Sequence, residues 1–170
     1  HYAIEKVEVE KVLLDYDIVI SFRLATVFGM SPRMRLDLLV NDFCYRAAND
    51  GYLVLFESHF KRNYVHVKDV CAVFEHALNN FENMKNNIFN VGLSSANMSK
   101  LELAREIGKQ VAGLVICQEE LKQDPDQRNY VVSNEKLENT GWEASVDLQS
   151  GITELLKGFT YLKKTGHSNI

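Results

Sequence analysis

A tyrosine and a lysine at the start of the chain are spaced so that they could act together in proton transfer. Tyr2 and Lys6 lie four residues apart, and residues at that spacing share one face of a helix. A phenol has a pKa of about 10, and a neighbouring ammonium favours the phenolate and lowers that pKa. A tyrosine tuned in this way can take a proton from a hydroxyl group and return it.

The same spacing occurs a second time, at Tyr64 and Lys68, so the spacing alone does not identify a site. Apolar residues after Tyr2 recur at helical intervals and predict an amphipathic helix. The stretch from Tyr64 instead alternates apolar and polar residues as a strand does. The first copy is therefore the predicted catalytic pair, and the alternative is that Tyr2 is a frayed terminal residue.

Three arginines are candidates for binding an anion. Arg62 ends a polar loop, and its guanidinium offers a rigid fork of donors to phosphate oxygens. The alternative for Arg62 is a solvated surface arginine. Arg33 and Arg35 flank a turn before a predicted helix, whose N-terminus favours anions. Surface charge explains Arg33 and Arg35 almost as well.

Two uncharged residues are also candidates for binding a ligand. Thr26 follows a predicted buried strand, and its hydroxyl could bond either a ligand or the backbone. Asn41 lies within a predicted helix, off its apolar stripe. His66 is expected to be a structural histidine with its polar atoms paired. The spacing of His, Cys, Asp and Glu predicts no metal site.

The totals limit the possible partners. The chain has 170 residues and a formal charge of −4, so it carries no broad basic field for nucleic acid, and any anion must be held locally. Cys44, Cys71 and Cys117 are expected to be buried free thiols in a reducing, cytoplasmic setting. The sequence predicts neither a signal peptide nor a membrane-spanning segment.

Strand and helix patterns alternate along the chain, which predicts an α/β fold. The apolar run from Ile18 to Leu24 predicts a parallel strand covered on both faces. Asp69 is expected to cap one helix, and Ser99 with Glu102 forms the capping-box pattern of another. Trp142 is expected in the core. The predicted strands otherwise span residues 52–56, 64–67, 88–91 and 114–117; the main further helices have stripes within 36–47, 70–81 and 148–159.

Several segments, taken in order, resemble the extended short-chain dehydrogenase/reductase family, in particular its nucleotide-sugar epimerases and dehydratases. The likeness covers nearly the whole chain. It rests on the segments Tyr2–Lys6, Phe22–Gly29, Lys61–Val70, Phe89–Gly92 and Thr140–Trp142.

The resemblance implies roles for particular residues. Tyr2 would be the acid/base, and Lys6 would hold the nicotinamide ribose. Arg62 would bind the nucleotide diphosphate, and Arg128 resembles a late arginine that also contacts it. Thr26 stands where relatives commonly have asparagine.

The resemblance also implies a division of the chain. Residues 1–30 would be the last helix and strand region of a Rossmann-type dinucleotide-binding fold, residues 31–162 mainly a small substrate-binding α/β subdomain, and residues 163–170 a loose tail. The sequence contains no glycine-rich strand–turn–helix fingerprint for the dinucleotide pyrophosphate. The chain is thus expected to be the second half of an enzyme, with the cofactor loop elsewhere.

The implied activity is that of a 4-epimerase or 4,6-dehydratase using NAD, with NADP left open. A dehydrogenase or reductase of the same family and a non-catalytic nucleotide-sugar binding module are the alternatives. The expected partners are a nucleotide-diphosphate sugar and a second copy in a homodimer, with no nucleic acid and no membrane.

Overall fold

The computed structural model describes residues 2–119 and 128–161. The tail predicted at 163–170 lies outside these residues. Seven α-helices, one short 3-10 helix (Ser94–Ala96) and eight strands make up this part of the chain, and the predicted α/β class is confirmed. The helices are α1 (Tyr2–Leu14), α2 (Leu39–Asn49), α3 (Val67–Asn79), α4 (Phe81–Met84), α5 (Lys100–Gly108), α6 (Glu135–Glu138) and α7 (Leu148–Tyr161). The strands are β1 (Ile20–Leu24), β2 (Thr26–Phe28), β3 (Tyr52–Phe56), β4 (Lys61–Arg62), β5 (Tyr64–His66), β6 (Asn87–Val91), β7 (Met98–Ser99) and β8 (Val115–Glu119).

The strands pair in twos. Three pairs are parallel: β1 with β6, β2 with β5, and β3 with β8. The fourth pair, β4 with β7, is antiparallel and sets Arg62 opposite Met98. Parallel pairs joined through helices are typical of an α/β fold, in which helices cover the faces of the strands.

The buried apolar residues form two clusters. The first joins α2, α5 and α7 to β3 and includes Val40, Leu55 and Leu155. The second joins α3 to β6 and includes Phe89 and Trp142, so the predicted core position of Trp142 is confirmed. Because α2, α5 and α7 bury their apolar stripes together, these three helices form the packed part of the fold to which the neighbouring loops are attached.

The two predicted helix caps had different outcomes. The capping box is confirmed, with Ser99 and Glu102 each bonding the other's backbone N–H. The predicted cap at Asp69 is wrong, because His66 caps α3 and its Nδ1 accepts from the Lys68 N–H at 3.3 Å. The buried carboxylate of Asp69 instead accepts from Ser145 N at 2.8 Å and Ser145 Oγ at 2.7 Å, which ties α3 to a distant loop.

The N-terminal helix departs from its predicted packing. The helix is present, but α1 has no buried residue, and its large apolar side chains up to Leu13 are exposed on all sides, with Leu14 half-buried. The expectation of an amphipathic helix is therefore wrong. The following strand, β1, pairs only with β6 among the described residues, and Leu24 is exposed. The parallel pairing was predicted, but the cover on both faces was not found.

The cysteines also differ from expectation. Cys44 lies buried in α2, as predicted, and burial raises the pKa of its thiol to about 12. Cys71 on α3 and Cys117 on β8 are exposed. Cys71 faces away from Val73 and Ala77, which α3 buries, so a place in a helix with an apolar stripe was not enough to bury it.

Candidate functional site

One large cavity, of about 820 Å³, opens where several elements meet. Its walls come from the ends of β1 and β2, the segment between β2 and α2, strand β4, the first residue of α5 and the short segment 128–130. The residues along it are Tyr2, Leu24, Ala25, Thr26, Val27, Phe28, Gly29, Ser31, Arg33, Arg35, Asp37, Leu38, Leu39, Asn41, Asp42, Arg62, Val67, Lys100, Arg128 and Tyr130.

The cavity brings together residues that the sequence singled out from widely separated positions. All the predicted substrate-binding residues line it: Thr26, Arg33, Arg35, Asn41, Arg62 and Arg128. Tyr2 lines it as well, and of the predicted site residues only Lys6 does not. The Lys6 ammonium lies 5.5 Å from the centroid of the Tyr2 ring. The roles of these residues stay predictions, but their convergence in one cavity is an observed fact.

Arg62 is held in the wall by strand β4. It is only 3% exposed, which excludes a solvated surface arginine. Its Nη1 donates to the Lys61 carbonyl at 3.0 Å, and its guanidinium lies 5.5 Å from the centroid of the Tyr130 ring. Tyr130 is itself held near β4, because its N–H donates to the same carbonyl at 3.3 Å. This arrangement fixes the plane of the guanidinium at the cavity wall.

Two cavity residues, Lys100 and Tyr130, were missed at the sequence level. Lys100 is buried as the first residue of α5, and its Nζ donates to the Phe56 carbonyl at 3.0 Å. A signal for Lys100 was available. A cation in the first turn of a helix faces the positive end of the helix dipole, so nearby acceptors or an anionic ligand are needed to offset it.

The side chain of Asn41 shapes the segment between β2 and α2 through two hydrogen bonds to the backbone of that segment. The Asn41 Oδ1 accepts from Gly29 N at 3.1 Å, and its Nδ2 donates to the Arg35 carbonyl at 3.0 Å. Both bonds are internal, so Asn41 fixes the course of the wall. Arg33 and Arg35 point outward from this segment and are exposed. The hydrogen bond from Arg35 lowers the pKa of Asp37, which keeps that carboxyl ionised.

The wall bearing Tyr2 is held differently. Tyr2 is 74% exposed, and α1 is tied to the body chiefly through Glu10. The Glu10 carboxylate accepts from Ser21 Oγ at 2.8 Å and from Arg23 Nε at 3.0 Å. The hydrogen bond from Arg23 lowers the pKa of Glu10. Thr26 is anchored more firmly, because its N–H donates to the Asn63 carbonyl at 3.0 Å within the packed part of the fold.

The charges around the cavity favour an anion. Five cationic residues line it against two carboxylates, although the whole chain carries a charge of −4. The cations are Arg33, Arg35, Arg62, Lys100 and Arg128, and the carboxylates are Asp37 and Asp42. Such local focusing of positive charge, with forked guanidinium donors, suits the oxygens of a phosphate or diphosphate.

Residues 2–119 and 128–161 contain neither a candidate metal site nor a helix that could span a membrane. No group of three His, Cys, Asp or Glu side chains there is placed to hold a metal ion. In the same part of the chain, every helix is too short or too polar to cross a membrane.

The fold is that of known enzymes of Rossmann type. The structure of RMD from Pseudomonas aeruginosa, complexed with NADPH, matches with a TM-score of 0.76 at 19% identity, over 93% of this chain and 55% of that chain. UDP-glucose 4-epimerase from Thermus thermophilus, complexed with NAD, matches with a TM-score of 0.68 at 22% identity, over 92% and 51%. The dTDP-glucose 4,6-dehydratase from Bacillus anthracis, also with NAD, matches with a TM-score of 0.71 at 18% identity, over 91% and 49%. The chain thus spans about half the length of the structures it matches.

The family assignment comes from the sequence of the first half of the chain. Residues 1–92 match the model of the NAD dependent epimerase/dehydratase family. This region includes Tyr2, Lys6 and the Arg62 segment, on which the resemblance rested. The match covers more than half of the 170 residues, and the structural likeness extends over nearly all of the chain. The chain therefore belongs to the NAD dependent epimerase/dehydratase family.

Proposed function

We propose that this chain forms the nucleotide-sugar-binding part of an enzyme that changes the sugar at carbon 4, either as a 4-epimerase or as a 4,6-dehydratase. The observation that carries this proposal is the single cavity that holds Tyr2 together with four arginines. Two of the structural relatives are named for UDP-glucose and dTDP-glucose, which supports a nucleotide sugar as the substrate class.

The residues of this chain divide the work between binding and proton transfer. Arg62 and Arg128, with Lys100 in the same cavity, hold the diphosphate through charge-assisted hydrogen bonds. Tyr2 takes the proton from the sugar hydroxyl and returns it. Lys6, whose ammonium lies 5.5 Å from the centroid of the Tyr2 ring, would hold the nicotinamide ribose beside that tyrosine.

The cofactor fits only in part. The Tyr2–Lys6 pair, with its ammonium close to the phenol ring, suits the nicotinamide ribose, whereas the sequence has no glycine-rich loop for the pyrophosphate. When bound beside Tyr2 and Lys6, NAD would supply the hydride acceptor for carbon 4 of the sugar. In this proposal the chain supplies the proton-transfer group and the substrate wall, and NADP is the alternative cofactor.

The division into parts belongs to the same proposal. Residues 1–30 would complete a dinucleotide-binding fold, and residues 31–162 would bind the nucleotide sugar. The apolar side chains left exposed on α1 support a homodimer formed through that helix. A cytoplasmic location would suit the expected substrates.

A second candidate is a nucleotide-sugar binding module without catalysis. It is favoured by one observation: Arg62 is buried in the packed part of the fold, whereas the helix of Tyr2 buries nothing. A dehydrogenase or reductase acting on the same sugars would use the same cavity and the same tyrosine.

The test is thermal unfolding of this chain with UDP, GDP, CDP or dTDP, each with and without NAD. A ligand that binds the native state alone raises the midpoint, by an amount that grows with its affinity. We expect one nucleotide to raise the midpoint by several degrees. Cooperative unfolding with the same midpoint in all of these conditions would contradict nucleotide binding by this chain.

A further inference from the structure

Helix α7 lies against the residues that lead from β2 into the cavity wall. Gly151, Glu154 and Gly158 share one face of α7, at spacings of three and four residues. A methyl group on Gly151 would overlap the ring of Phe28, and one on Gly158 would overlap the side chain of Met30. Both glycines therefore allow α7 to pack closely against Phe28 and Met30, at the start of this wall.

Between the two glycines, the carboxylate of Glu154 meets three groups. Its Oε1 accepts from the Met30 N–H at 3.3 Å, and its Oε2 accepts from Lys68 Nζ at 2.8 Å. Its Oε1 also lies 3.6 Å from Nε2 of His66. That nitrogen is buried and has no hydrogen-bond partner among the described residues, so the expected pairing of His66 is met only at Nδ1.

The state of His66 explains why a carboxylate suits this position. Its Nδ1 accepts a hydrogen bond from the Lys68 N–H, so the proton of the neutral ring belongs on Nε2, which faces Glu154. The ring is packed against Gly29, where a methyl group would overlap it. Glu154 thus accepts hydrogen bonds from a backbone N–H and an ammonium, and an imidazole N–H lies 3.6 Å from the same carboxylate.

The cavity wall between β2 and α2 is consequently fastened from two sides. Asn41 holds it at Gly29 and Arg35, and Glu154 holds it at Met30. Ser31, Arg33 and Arg35, which line the cavity, all follow the attachment at Met30. The two attachments come from α2 and α7, which pack against each other in the first core cluster.

We propose that Glu154 is a positioning residue: it holds the wall segment Gly29–Leu38 through the Met30 N–H and so sets the positions of Arg33 and Arg35 for the ligand. The claim that this wall contacts a nucleotide sugar rests on the proposed function. The claim that Glu154 holds the wall at Met30 does not. Glu154 does not line the cavity, so it acts through the segment.

The first test uses amide hydrogen exchange of the chain without ligand. Glu154→Ala removes the acceptor for Met30, and we expect the amides of residues 30–38 to exchange about tenfold faster, with α5 unchanged. Glu154→Gln keeps an acceptor oxygen and should restore slow exchange. Glu10→Ala is the matched control, because Glu10 is a partly buried carboxylate whose partners, Ser21 and Arg23, lie on β1.

Unchanged exchange in residues 30–38 of Glu154→Ala would overturn the proposal. An equal acceleration in α5 would also overturn it, because the effect would then be a general loss of stability. Exchange in Glu154→Gln as fast as in Glu154→Ala would overturn the assignment to the Met30 hydrogen bond.

A second test separates this inference from the proposed function. Binding of UDP, GDP, CDP and dTDP is measured by calorimetry for the unmodified chain and the same variants. If one nucleotide binds, Glu154→Ala should weaken it severalfold and Glu154→Gln should restore it; unchanged affinity in Glu154→Ala would remove the role in ligand binding. If none binds the unmodified chain, the proposed function fails, and the exchange result alone decides whether Glu154 holds the wall.

Discussion

The first and last described helices are almost equal in length but differ in what holds them. Helix α7 buries five of its residues, four of them in the first core cluster, whereas α1 buries none and contacts the rest of the fold mainly through Glu10. Tyr2 of α1 lines the cavity, and so does Arg62, which strand β4 holds buried in the cavity wall. The comparison teaches that Arg62, which is proposed to bind the diphosphate, is buried in the packed fold, whereas Tyr2, which is proposed for proton transfer, lies on a helix that the described residues do not bury.

The most direct test of the difference between α1 and α7 is to truncate one leucine in each helix and compare the loss of stability. Leu155 of α7 is fully buried, so Leu155→Ala should lower the free energy of unfolding by about 2–5 kcal/mol through lost contacts and a cavity. Leu13 of α1 is 44% exposed, so Leu13→Ala should change it by no more than about 0.5 kcal/mol. Urea denaturation measures both, and similar losses in the two variants would show that α1 is packed after all.

The next effect concerns the binding side of the cavity. Arg62→Gln removes a charged fork, and hydrogen bonds to charged groups are worth roughly 1.5–3 kcal/mol. We therefore expect nucleotide affinity to fall roughly 10- to 150-fold in calorimetry. Arg105→Gln, an exposed arginine of α5, is the control and should leave the affinity unchanged. Equal affinities in both variants would remove Arg62 from the site.

A smaller effect should appear as a dependence of stability on pH. Burial lowers the pKa of His66, so the unfolded chain takes up a proton more readily as the pH falls below about 6.5. The stability that the neutral ring contributes is complete above that pH and is lost as the pH falls. The charged groups around the ring are Glu154 of α7 with Lys68 and Asp69 of α3.

Glu154 adds to this decline at lower pH. Burial alone would raise its pKa, but the hydrogen bond from Lys68 and the charge of that ammonium outweigh burial and lower it. Its contribution to stability is therefore present above a pH of about 4.5 and lost below that pH.

The His66 effect is measured by urea denaturation from pH 7.5 to 5.5. The free energy of unfolding should fall over this range, less steeply in His66→Asn and with an unaltered slope in His59→Asn. A fall of equal slope in His66→Asn would assign the effect elsewhere.

The smallest expected effect comes from chemical labelling of the cysteines, which needs no substitution. Cys71 and Cys117 are exposed, whereas Cys44 is buried with a thiol pKa of about 12 and forms little thiolate at neutral pH. A thiol reagent should therefore label two cysteines in the native chain and the third only on unfolding, with little change in the thermal midpoint. Labelling of Cys44 at the rate of the other two would show that the packed region opens as readily as the exposed faces.

Features fixed by neighbouring residues were predicted well. The capping box at Ser99 and the stripe of α2 depend on spacings within one or two turns, and both are present. The family resemblance, carried by the local motif around Arg62, predicted a binding role for this arginine, and Arg62 lies in the cavity wall.

Features that depend on distant partners were not predicted. Lys100 is held by Phe56 and Glu154 by Met30, contacts that join residues 44 and 124 positions apart. The exposure of α1 and Cys71 likewise depends on which elements lie beside them. Periodicity shows which residues could be buried together, but the partner that buries them is decided by the tertiary fold.

Strand β5 gives the molecule a property that neither core cluster has alone. Of its three residues, Tyr64 belongs to the first cluster and Val65 to the second, because successive side chains of a strand point to opposite faces. One short strand is thus a shared wall of both clusters, and displacing it would expose buried surface on both sides at once. The two clusters should therefore unfold together, in a single cooperative transition.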